Sequence, residues 1–63
     1  MNENQIEDLF LDTIKNIRAL YNKVEGFSED KIYNWKTNRT TPTLGDMLSI
    51  LYQLQLIKAI PNG

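Results

Sequence analysis

Apolar side chains recur at steps of three and four from one end of the chain to the other, and turn signals interrupt them in only two places. Between Asn4 and Glu25 there is neither Gly nor Pro, and Ile6, Leu9, Phe10, Ile14, Ile17, Leu20, Tyr21 and Val24 fall on one stripe. That spacing predicts amphipathic helix. One helix or two both fit, since Asp12 or Thr13 could cap a second one while nothing forces a break there. Gly26 follows, a residue suited to closing a helix in the left-handed region.

A strong start signal comes next. Ser28 can accept from free first-turn amides, and Glu29 and Asp30 stand where the helix dipole favours negative charge. Phe27 is placed to staple onto Ile32, and Ile32 with Trp35 forms the buried side of a short helix. It should stop near Asn38, which tolerates positive φ, before the polar loop Arg39-Thr-Thr-Pro42. Thr43-Leu-Gly-Asp46 then spells a variant capping box. Leu44, Met47, Leu48, Leu51 and Leu54 make the inward stripe of a last, long helix. Ile50, Leu56, Ile57 and Ile60 lie partly off that stripe, as core beneath the first helix or as a homodimer seam. Pro61-Asn-Gly63 reads as a frayed end. The expected fold is all-α, a single domain over residues 1–63 built as a small bundle of three to four helices.

Size limits what such a bundle can do. A 63-residue domain buries only about 60% of its unfolded surface, so helix packing or oligomerisation must supply stability. There is no Cys and no His, which removes disulfides, the usual zinc sets and the commonest general base. Ser, Thr and Tyr therefore have no activating partner, and neither catalysis nor a cofactor is expected. No apolar run approaches the roughly 18 residues of a membrane span, and Met1-Asn-Glu-Asn lacks a signal peptide's features, so a cytoplasmic location is the expectation.

Net charge is −1, but it is unevenly spread. Residues 1–30 carry seven acidic groups against three basic ones, a balance of −4; residues 31–63 carry four basic groups against Asp46, a balance of +3. An acidic chain is not an obvious nucleic-acid ligand, yet a locally basic face can serve as one.

The spacing of Gly26, Phe27, Ser28, Ile32, Trp35, Asn38, Arg39 and Pro42 resembles that of the lambda-repressor-like helix-turn-helix family, the Cro and repressor type. The resemblance covers roughly residues 20–56. It implies a sequence-specific DNA-binding transcriptional regulator, of the kind found in phages and mobile elements, that places helix 28–38 in the major groove of double-stranded DNA. By that resemblance Glu29, Asp30, Tyr33 and Asn34 would read bases, with Asn34 suited to adenine. Ser28, Lys31, Lys36, Thr37, Arg39, Thr40 and Thr41 would meet the DNA backbone, and Ile50, Leu56, Ile57 and Ile60 would pair two copies.

Two features depart from the family pattern. Glu29-Asp30 stand where Gln, Arg, Ser or Lys is usual, and the scaffold helix expected before Gly26 has Tyr21-Asn22 and Glu25 where Leu-Ala and Leu are usual, a one-residue shift to Leu20 and Val24 putting Tyr21 in the tight Ala position. A second reading is therefore a protein-binding module on the same scaffold, such as an antirepressor or a phage inhibitor of a host factor. Its acidic half would suit a basic protein partner.

Overall fold

The computed structural model describes residues 2–58, and it is all-helical. α1 spans Glu3–Asn16, α2 spans Glu29–Lys36 and α3 spans Leu44–Gln53, with one 3₁₀ turn at Leu20–Asn22 between the first two. α1 packs on α3 and meets α2, while the 3₁₀ turn packs on α2.

α1 starts at a reciprocal capping box. The Asn2 side chain accepts from the Gln5 amide at 2.9 Å, and the Gln5 side chain accepts from the Asn2 amide at 2.9 Å. Neither candidate cap at Asp12 or Thr13 starts a second helix. Thr13 is buried, and its hydroxyl donates back to the Leu9 carbonyl at 2.7 Å. The helix breaks instead at Ile17, which is extended, and Ala19 takes a positive φ of 54°.

The 4–25 stripe is thus one helix and one 3₁₀ turn. A straight helix of those residues would be about 33 Å long at 1.5 Å per residue. The bend instead keeps the described residues within a longest extent of 28 Å. Apolar spacing runs unbroken through the bend because Leu20 and Val24 return to the core that α1 has already built.

That core contains Ile6, Phe10, Ile14, Leu20, Val24, Ile32, Trp35, Met47, Leu48, Ile50 and Leu51. Phe10 meets Trp35 edge-on, ring centroids 5.7 Å apart and planes at 68°. α3 is the most enclosed element, with Met47, Leu48, Ile50 and Leu51 all buried. At 3.6 residues per turn those four positions cover an arc of about 160°, wider than a simple stripe.

Two expectations about this helix are corrected. Ile50 is fully buried, so it belongs to the core and not to a dimer seam. The helix is also ten residues rather than long. It closes with Gln55 at φ 61°, where the Gln55 amide donates to the Tyr52 carbonyl and the Leu56 amide to Leu51. This paired closure satisfies the last carbonyls and turns the chain off the axis. Leu56 is consequently exposed beyond the helix, and Ile57 lies half-buried against the core. Ile60 and the end at residues 61–63 lie outside the described residues. No described helix is long and apolar enough to cross a membrane.

Candidate nucleic-acid interface

Gly26 introduces α2 at φ +88°, and a Cβ built there would meet nothing within 4 Å. Glycine is required by backbone conformation alone, not by crowding. Ser28 then caps the helix, its hydroxyl accepting from the Lys31 amide at 3.2 Å. Phe27 packs its ring against Trp35 at 5.7 Å. The Lys31 ammonium lies 5.6 Å from the Phe27 ring centroid and 5.9 Å from that of Trp35.

α2 has eight residues and buries only Ile32 and Trp35. Its end is closed like that of α3. Asn38 sits at φ 61°, the Asn38 amide donates to Trp35 at 3.2 Å, and the Arg39 amide donates to Asn34 at 2.9 Å. The Thr37 hydroxyl also turns inward, donating to the Tyr33 carbonyl at 3.0 Å. From Arg39 to Thr41 the loop is exposed. It runs into Thr43, whose amide donates to the Asp46 carboxylate at 3.2 Å while its hydroxyl accepts from the Asp46 amide at 3.0 Å.

Most residues singled out from the sequence are open to solvent. Asp30, Tyr33, Thr37, Arg39, Thr40 and Thr41 are exposed, Tyr33 to 56%, and Asn34 is half-buried. Lys36 and Glu29 flank Tyr33 beside the 3₁₀ turn, where they line a shallow groove with Tyr21. Between Ser28 and Thr41 three basic side chains face two acidic ones, a balance of +1. The charge is polarised: Glu29 and Asp30 stand at the start of α2, Lys36 and Arg39 at its end. Each set opposes the helix dipole at its own terminus.

Three assigned groups are already occupied within the fold. Ser28 is a cap, Lys31 lies over two rings, and the Thr37 hydroxyl is bonded to the Tyr33 carbonyl. Glu29 lines the groove beside Tyr21, and as a hydrogen-bond acceptor and a negative charge there it raises the Tyr21 hydroxyl above its ordinary pKa of 10.0.

The scaffold helix implied by the family resemblance is absent, and this is a correction. A single 3₁₀ turn, Leu20–Asn22, stands before α2 in its place. Leu20 is buried there, but Tyr21 is only half-buried and Asn22 and Lys23 face solvent. With Ala19 in the left-handed region, a regular helix cannot run into the turn.

The stretch from Val24 to Gly26 is held from outside itself. The Glu25 amide donates to Gln53 Oε1 at 2.7 Å, and Gln53 Nε2 donates to the Glu25 carbonyl at 3.1 Å. Sequence reasoning missed Gln53 entirely. Its position on the polar side of α3 gives no sign of a contact 28 residues away. Tyr21 was equally hidden, because its partner Glu29 is fixed only by how the 3₁₀ turn docks.

No family profile matches the chain, and no curated protein or solved structure shows significant similarity to it. Among the described residues, no group of three His, Cys, Asp or Glu side chains is placed to hold a metal ion.

Proposed function

We propose that this chain is a sequence-specific DNA-binding regulator that lays α2 and the loop after it against a major groove. The main support is how α2 is held. Two buried residues anchor it, and Asp30, Tyr33, Asn34 and Thr37 are left on its outer side, with Lys36, Arg39, Thr40 and Thr41 also exposed. A major groove about 12 Å wide admits one helix of that kind.

In this arrangement Asn34 reads adenine and Tyr33 flanks it, while Lys36 and Arg39 neutralise phosphates. Glu29 stands beside Tyr21 in the groove next to the 3₁₀ turn, and Lys31 reaches a phosphate only by leaving its rings. A small reader gains from two half-sites, about 34 Å apart in a dimer. Of the seam residues proposed for this, Leu56 has the exposure to serve and Ile50 does not.

The test is binding of purified chain to pooled random DNA fragments. Two neutralised phosphates per chain give a slope near −1.8 in log K against log salt, a loss of about 12-fold between about 50 and 200 mM. Asn34→Ala should relax sequence preference; Arg39→Ala should weaken binding to every sequence and flatten the slope by about 0.9. Absence of salt-sensitive binding at about 50 mM removes the proposal.

The second reading, a module for a basic protein partner, draws on the exposed acidic start of α2 and on Glu3, Glu7, Asp8 and Asp12 exposed along α1. It predicts no DNA binding at any of these salt concentrations, and retention of a basic partner in a pull-down that Glu29→Lys with Asp30→Lys abolishes.

A further inference from the structure

A recognition helix anchored by two side chains can pivot about them unless its entry is fixed. Here the segment leading into α2 has no scaffold helix to align it. Val24 is buried, but Glu25 and Gly26 are exposed, and glycine at position 26 leaves the backbone free to rotate. Among the described residues, the tertiary hydrogen-bonded restraint there is the side-chain amide of Gln53, the last residue of α3.

That amide takes both backbone groups of Glu25, accepting from its N–H at 2.7 Å and donating to its C=O at 3.1 Å. Nε2 also lies 3.3 Å from the Ser49 hydroxyl one turn back, which fixes the rotamer. A planar amide presenting one acceptor and one donor pairs with a peptide unit much as a neighbouring strand would. Among side chains only Gln and Asn can do this, and Asn is one methylene short.

We infer that Gln53 is a positioning residue: its two-point clamp on Glu25 sets the direction in which α2 leaves the body of the protein, doing the work of the missing scaffold helix. Glu25 lies three residues before the Ser28 cap, so rotation there swings the start of α2 while Ile32 and Trp35 stay seated. The consequence for base reading rests on the DNA proposal; the clamp itself does not.

Both parts can be read from Gln53→Leu, which keeps bulk and removes both hydrogen bonds, with Gln53→Glu as a near-isosteric control that still accepts but cannot donate. Amide hydrogen exchange is the first measurement. Glu25 should exchange roughly tenfold faster in Gln53→Leu and by a smaller factor in Gln53→Glu, while the amides of Phe10, Ile14 and Leu51 stay unchanged. The second is DNA binding. The ratio of specific to non-specific affinity should fall roughly tenfold in Gln53→Leu, with the salt slope unaltered, because the phosphate contacts remain.

A merely structural role would instead accelerate exchange throughout the chain and lower specific and non-specific binding together, and that outcome overturns the inference. So does unchanged Glu25 exchange in Gln53→Leu. If Glu25 exchange responds locally but the wild-type chain binds no DNA, the clamp stands and the DNA proposal falls.

Discussion

Ile50→Ala separates a core residue from a seam residue. Ile50 is fully buried within the hydrophobic core. The substitution deletes three carbons, about 2.4 kcal/mol at ~0.8 kcal/mol per buried methylene. A cavity contribution raises this to about 3–4 kcal/mol, within the range of about 2–5 kcal/mol for such truncations. At about 0.05–0.15 kcal/mol per residue, a chain of this length has only ~3–9 kcal/mol to lose. The variant should therefore be partly unfolded at room temperature, and Ile50→Val should cost about 1 kcal/mol. Urea unfolding followed by Trp35 emission is the assay, since Trp35 is buried against Phe10 and reports the core directly. Runs at ~2 and ~200 μM chain distinguish the two roles, because a dimer's midpoint depends on concentration. A core role lowers the midpoint equally at both concentrations. A loss below about 1 kcal/mol would refute the packing argument, as would a concentration dependence that the substitution abolishes.

Two further outcomes are expected. Gly26→Ala should cost about 1–2 kcal/mol by forcing an L-residue to positive φ, whereas D-alanine introduced there by chemical synthesis should cost nothing. The space around the Cβ is open, so equal losses from both would contradict the conformational argument. Tyr21→Phe should flatten the alkaline end of the stability profile. Because Glu29 raises the folded pKa of Tyr21 above 10.0, the stabilisation is fully present below that value and is lost as pH rises through the folded one. Urea midpoints measured on both proteins across that range check it, and parallel profiles would show that the Tyr21–Glu29 interaction does not contribute.

Local signals proved readable wherever a residue acts on its own few neighbours. Ser28, the Thr43–Asp46 box and Asn38 do what their chemistry predicts, because a cap or a positive-φ position is satisfied within four residues; Gly26 takes the positive φ expected of it but closes no helix. Ile32 and Trp35 are likewise buried as their spacing indicates. Three things escaped. The bend at Ile17–Ala19 left no mark, since the same apolar period serves both sides of it. Gln55 at positive φ closes α3 without a Gly or Asn to announce it. Ile50 was assigned to the edge of a stripe, when α3 is enclosed over a much wider arc.

By itself, then, the amino-acid order determined an all-helical chain, the start and end of α2, the start of α3 and the polar face that α2 turns outward. These depend on hydrogen bonds and periodicities spanning one or two turns, which persist whatever the rest of the chain does. Only the tertiary structure decided that a 3₁₀ turn stands in front of α2, that α3 is buried over a wide arc, and that Gln53 holds Glu25. Each of those is set by which surfaces fit together in a body whose described residues span 28 Å, a balance among distant side chains that no local stretch encodes.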